Sequence, residues 1–194
     1  MPTQIAVAPT LMLRLRTETR EAHEAIDGTV DLETSLASPT AYRDLLTRFY
    51  AFHAGWEPVL ATLIDDSTFF EPRRKLGLLR GDLIRLGLRP EQIAQLAACP
   101  PATPLTTLSA AYGAMYVLEG STLGGQLISR QVAERLGFGP EDGAAYYNAY
   151  GRAVGPMWRA FGERVNQAAP MLDREAVTAA ARDTFTQLQA CLAR

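Results

Sequence analysis

The stretch AAYGAMYVLEGSTLGGQLISRQVAERL, residues 110–136, decides the reading of the fold. Its apolar residues recur at helical spacing, with no alternation of the strand kind, so it reads as a long helix. Four glycines lie inside it: Gly113, Gly120, Gly124 and Gly125. A mid-helix glycine costs about 1 kcal/mol against alanine, so four cost ~4 kcal/mol from a total stability of roughly 5–15 kcal/mol. Something must need the missing side chains. Gly120 and Gly124 are four apart and share one helical face, where the absence of Cβ lets another helix backbone or a flat ligand come close. Spacing alone leaves both readings open, with helix packing the plainer of the two. The Gly124-Gly125 pair invites a kink and tilts the balance toward a helix that adjusts over a ligand.

Outward from this stretch the punctuation marks helices and almost nothing else. The chain predicts helices at about 10–27, 40–64, 72–87, 90–98, 104–137, 143–168 and 173–192. Ser38-Pro39 and Pro90-Glu91 are helix-start signals, Asp173 is a candidate N-cap, and Gly87 and Gly137 fit helix C-termini. Pro58 falls inside the second helix and should kink it or end a segment. CPPATP (99–104) is a rigid connector. No repeat or low-complexity tract is present, and an all-α single domain over 1–194 is expected, with residues 1–9 flexible.

The composition fits. With 194 residues, 47% hydrophobic and 21% charged, the chain can build one real core. A net charge of −2 gives no basic face for nucleic acid. No run of about 18 apolar residues exists to span a membrane, and the start has no basic region before its apolar residues, so no secretory signal is expected. Cys99 and Cys191 are far apart, with no CxxC, and read as buried free thiols of a reducing cytoplasm.

The first helix carries a second constellation. Arg16, Arg20 and His23 stand at i, i+4 and i+7 on one stripe, beside an apolar stripe of Leu15, Ala22 and Ile26. A lone helical histidine is most often a surface residue. Two aligned arginines change that: an imidazole that binds a metal, with guanidiniums that pair carboxylates, suits a ligand carrying both metal and acid groups, as haem does. Asp27, four residues on, is within helical reach of the outer imidazole nitrogen and would fix its tautomer, unless it is an ordinary surface acid. His53, among aromatics in FYAFHAGWEP, reads as structural. No ExxH, HExxH or G-x-S-x-G motif is present, which argues against a di-iron bundle, a zinc protease and a serine hydrolase.

The pairing of RxxxRxxH (16–23) with YVLEGSTLGGQ (116–126) resembles a biliverdin-producing haem oxygenase of the bacterial type. YYNAYGRAVGPMWRAF (146–161) is similar to the GYG…MW…F segment of bacterial members, and the likeness runs over roughly residues 10 to 165. The resemblance implies a helical bundle with haem held between the first helix and a glycine-rich, kinked distal helix. It makes His23 the iron ligand, Gly120, Gly124 and Gly125 the glycines beneath the haem face, and Arg16 and Tyr116 the groups on a propionate, with Arg20 a second basic position. Some members carry an aspartate after the first distal glycine to organise a water. Here that place holds Ser121, the candidate for the same duty.

The activity implied is oxidative opening of the porphyrin to biliverdin, carbon monoxide and iron, using O2. No flavin or nicotinamide fingerprint is present, so electrons would come from a separate ferredoxin or reductase. A bilin-accepting photoreceptor is an open further partner. Two rivals stand beside this reading: a non-catalytic haem carrier or sensor, and a thiaminase-like helical enzyme without haem.

Overall fold

The computed structural model describes residues 9–193. Residues 1–8, expected flexible together with Pro9, lie outside the described residues; Pro9 is exposed, and its carbonyl accepts from the Arg174 guanidinium at 3.3 Å. The described residues form helices, with no strand among them. They are α1 (Leu11–Glu18), α2 (Arg20–Asp27), α3 (Leu32–Ser35), α4 (Pro39–Leu63), α5 (Ser67–Phe70), α6 (Leu76–Arg85), α7 (Pro90–Ala94), α8 (Leu108–Leu136), α9 (Val154–Ala168) and α10 (Arg174–Leu192). None of them is long and apolar enough to cross a membrane.

The N-terminal half of α8 is the axis of the core. Every residue from Ala111 to Glu119 is buried, which requires partners all round. α10 packs along one side, α4 and α9 on others. The contact with α10 is backbone to backbone at Gly113, where a Cβ would overlap the Val177 carbonyl oxygen. α4 presents Tyr42, Leu45, Leu46, Phe49, Phe52, Trp56 and Leu60 to the core at helical spacing. Each of the larger apolar side chains gains roughly 1.5–3 kcal/mol by burial.

α10 also carries the first two helices. Arg182 donates to the Glu18 carbonyl at 3.0 Å and to its carboxylate at 2.7 Å, and Gln189 reaches the Ala25 carbonyl at 3.4 Å. Arg14 pairs with Glu175 and with Glu18. So α10 holds α1 and α2 on one flank and α8 on the other, which sets the spacing between them.

The helix starts read from Ser38-Pro39 and Asp173 are as expected: the Ser38 hydroxyl accepts from Ala41, and the Asp173 carboxylate from Glu175 and Ala176. Gly137 caps α8 with φ 73°. Several boundaries differ from the sequence reading, two of them because side chains from elsewhere capture backbone amides, and the helix expected at 90–98 ends at Ala94. The helix expected at 72–87 starts only at Leu76, since the Glu57 carboxylate takes the Lys75 and Leu76 amides. The helix expected at 143–168 starts at Val154, because Gly143 has φ 119° and the Asp82 carboxylate holds the Ala145 and Tyr146 amides in a turn. The helix expected from 104 starts at Leu108 behind the Thr107 cap. The first helix is two, separated at Thr19, whose hydroxyl bonds back to the Leu15 carbonyl at 2.8 Å, a contact that bends helices.

Pro58 ends nothing: α4 continues to Leu63. The connector sits on α4 just before that proline. The Cys99 amide donates to the Ala51 carbonyl at 2.8 Å, and a Cβ on Gly55 would overlap the Cys99 backbone, so only glycine lets the chain cross there. Cys99 and Cys191 are buried and neither is in a disulfide, as read.

Candidate functional site

The first component is the break in the first helix. Thr19 is buried while Arg16, Arg20 and His23 around it are exposed. The Tyr116 phenol of α8 faces Thr19 and feels the charge of Arg16. Burial pushes the Tyr116 phenol up, with Thr19 and Arg16 opposing that shift. Arg16 and Tyr116, 100 positions apart in the chain, therefore share one neighbourhood. Arg20 and His23 follow on α2, one turn and two turns from Arg16. The His23 ring stands edge-on to Phe185 of α10, with centroids 5.8 Å apart. The side chain of Asp27 lies outside the described residues, so its expected partnership with His23 is an inference from spacing.

The second component is the glycine run, and its four members have different duties. Gly113 is a packing glycine against α10. Gly125 is buried against Tyr147, whose carbonyl oxygen would lie 3.4 Å from an added Cβ. An added Cβ on Gly120 would meet only the rim of the Trp158 ring, at 3.7 Å. On Gly124 it would meet nothing within 4 Å. Leu123 and Leu127, on the same side by helical spacing, are exposed. The result is a strip of bare backbone and apolar side chain with room above it. Trp158 closes one end, its ring 5.6 Å from that of Tyr116.

The third component is a chain of polar groups running from this strip into the core. Ser121 donates to the Leu118 carbonyl at 2.8 Å and faces the Tyr146 phenol. The Tyr146 oxygen lies 3.4 Å from His53 Nε2, and His53 Nδ1 lies 3.0 Å from Glu57 Oε1. Glu57 is 1% exposed and also accepts from the amides of Lys75 and Leu76 and from the Arg74 guanidinium. Burial would push its carboxyl up, but the bond to His53 and the two amides outweigh that and hold it below the usual range. An ionised Glu57 accepts only, so His53 carries a proton on Nδ1, and its Nε2 faces the Tyr146 hydroxyl. The single Ser121 proton has two acceptors within reach. Burial drives the Tyr146 phenol well up, so it serves as a neutral donor.

The sequence reading named Arg16, Arg20, His23, Asp27, Tyr116, Gly120, Ser121, Gly124 and Gly125 as site candidates and gave His53 a structural role. It missed Thr19, Trp158 and the Tyr146–His53–Glu57 chain. A signal existed for one link: His53 and Glu57 are i and i+4 on one helix face. Among the described residues no group of His, Cys, Asp and Glu could hold a bare metal ion. One imidazole with basic neighbours and an open apolar strip fits instead a metal whose other ligands travel with it in a flat, acid-bearing ring.

A family model described as heme oxygenase matches residues 9–194. A heme oxygenase of Xanthomonas campestris pv. campestris (strain 8004) is 30% identical over 177 residues, covering 86% of this chain and 93% of the relative. The structure of heme oxygenase from Leptospira interrogans aligns with a TM-score of 0.78 at 18% identity, over 95% of this chain and 99% of the other. Heme oxygenase-1 from the cyanobacterium Synechocystis sp. PCC6803, in complex with heme, gives 0.71 at 18% identity, over 95% and 91%. At such identities the structural likeness speaks for the fold.

Proposed function

The chain belongs to the heme oxygenase family, whose reaction opens the porphyrin to biliverdin, carbon monoxide and iron, and we propose that it binds haem between α2 and the bare strip of α8 with His23 on the iron. The observation that carries this is the contrast within the glycine run. Gly113 is closed by α10, whereas Gly124 has nothing within 4 Å of a Cβ position and exposed leucines beside it.

Haem, when bound, supplies both the redox-active iron and the ring carbon that is oxidised; O2 and electrons from a ferredoxin or reductase complete the reaction. The protein's part is position, exclusion of water and proton supply. Arg16 and the Tyr116 hydroxyl hold a propionate from either side of Thr19, and Arg20 adds a second guanidinium. Asp27 fixes the His23 tautomer. Gly120 and Gly124 bring backbone against the haem face, and Leu123 and Leu127 keep bulk water from it. Ser121 holds the distal water and, through Tyr146 Oη and His53 Nε2, joins it to a buried proton store. Cys99 and Cys191, buried and outside any disulfide, suit a reducing cytoplasm.

The test is titration of the purified protein with haem, then addition of reductant and O2. A histidine-ligated Soret band that converts to a biliverdin spectrum supports the reading, and His23→Ala should lose both, with free imidazole partly restoring them. A band that never converts leaves a carrier, and no band at all removes haem.

A further inference from the structure

One residue before the open strip lies a buried group of charges that the reading above does not use. Glu119 is 1% exposed, Lys75 2% and Arg73 8%. Glu119 Oε1 accepts from the Tyr150 hydroxyl at 2.6 Å and lies 3.6 Å from Lys75 Nζ. Lys75 Nζ also donates to the Tyr150 oxygen at 2.7 Å and to the Arg73 carbonyl at 2.6 Å, and sits 4.1 Å from the centre of the Tyr150 ring. Glu119 Oε2 faces Arg73 Nε at 3.4 Å, and neither atom has a hydrogen bond. Burial pushes the Glu119 carboxyl up and the Lys75 ammonium down, with their mutual attraction opposing both.

Such a cluster is a poor device for stability. Apolar residues of like volume in place of a buried ion pair are often neutral or stabilising, because desolvation offsets the attraction. Its position suggests another use. Residues 120–125 include three glycines, the least helix-favouring part of α8. This weak segment is held at both ends to the same turn: Glu119 takes the Tyr150 hydroxyl, and the Gln126 amide donates to the Gly151 carbonyl at 3.3 Å. Glu119 adds a second anchor on the Arg73–Lys75 turn, which Glu57 fixes through the Lys75 amide.

We propose that Glu119 is a positioning residue: tied to Tyr150, Lys75 and Arg73, it fixes the rotation and height of the Gly120–Gly124 backbone over the haem face. The proposal rests on the haem-binding reading, but the device exists in the haem-free protein and can be measured there. Glycine gives the strip its openness and at the same time makes it loose. The charge cluster is inextensible where an apolar contact would slide, since a displaced Glu119 would leave cations unpaired in the interior.

The experiment compares wild type, Glu119→Leu, Glu119→Gln and Tyr150→Phe. Amide exchange on the haem-free proteins should speed up about tenfold or more at residues 120–126 in Glu119→Leu, leaving 111–117 unchanged. On loading, haem affinity should stay within about twofold while single-turnover ring opening falls about five- to tenfold, since only the reacting geometry is disturbed. The carbon monoxide stretch of the ferrous complex should broaden. Glu119→Gln, which keeps an acceptor for Tyr150, should recover most of the loss, and Tyr150→Phe should reproduce part of it even if the leucine variant does not fold. Unchanged exchange at 120–126, or faster exchange spread evenly over α8 with normal turnover per bound haem, overturns the proposal. Wild-type protein that binds no haem overturns the functional reading instead, and the exchange comparison still decides whether Glu119 clamps the strip.

Discussion

The Tyr116 phenol on α8 faces Thr19 at the break between α1 and α2. The two walls of the proposed haem cleft are thus joined at one end by a phenol and a hydroxyl, with the Arg16 charge next to them. A ligand entering from the other end meets a fixed corner where its acid groups find two donors.

Arg16→Glu should therefore weaken haem binding. Losing a charge-assisted hydrogen bond costs about 1.5–3 kcal/mol, so the dissociation constant should rise about tenfold or more. Combining it with Tyr116→Phe should cost less than the sum of the two, because they share one ligand group. Soret titrations of the four proteins give the answer; an unaltered constant in Arg16→Glu returns that residue to the solvated surface.

The glycines allow a matched pair of opposite outcomes. Gly124→Ala removes a helix-weakening residue at an open position, so the haem-free protein should gain about 1 kcal/mol and melt roughly 2–4 °C higher. Gly113→Ala should melt lower, since its methyl would overlap the Val177 carbonyl oxygen. With haem bound the order reverses: the Gly124→Ala methyl intrudes on the strip and slows biliverdin formation, while surviving Gly113→Ala protein turns over normally per haem. Equal melting points for the two variants would contradict the contrast between the positions.

Glu57 governs an acid-side dependence. Its carboxyl in the folded chain lies below the ordinary value of 4.5, because His53 and the Lys75 and Leu76 amides outweigh burial. The unfolded chain binds that proton first as pH drops, so the stabilisation is present above the ordinary value and is lost as pH falls through the folded one. Glu57→Gln should lower stability near neutral pH and flatten the decline below about 4.5 relative to wild type. Denaturant midpoints measured from pH 3 to 7 check this, and parallel curves for the two proteins would refute it.

Tyr146→Phe cuts the path between Ser121 and His53 without touching a propionate group. Haem affinity should hold, ring opening should slow, and its pH profile should change shape. If rate and profile both match wild type, the polar chain is structural only.

The helical fold was legible because helices are built from local spacing: the glycine-marked α8 and the Ser38 and Asp173 caps needed no distant information. Helix ends were misread where a remote carboxylate took the amides. Glu57 delays α6 and Asp82 delays α9, and neither partner is marked by spacing at its own position. The site divided in the same way. Arg16, His23, Gly120 and Gly124 lie in short patterns along α1, α2 and α8, whereas Tyr146 reaches Ser121 and His53 from a turn, and Tyr116 finds Thr19 only after α8 and α10 are packed. The four glycines looked alike in the sequence because what distinguishes them is the neighbour above each.

Asp82, on α6, touches none of the residues assigned to the haem cleft, yet its carboxylate carries the Tyr146 amide at 2.8 Å and the Ala145 amide at 2.9 Å. A designer transplanting the cleft onto another bundle by copying α1, α2 and α8 would leave this support behind. The tyrosine would then have no fixed address, and the graft would bind its ligand with the proton path disconnected. The smallest portable version of the site includes α6, a helix packed on α4.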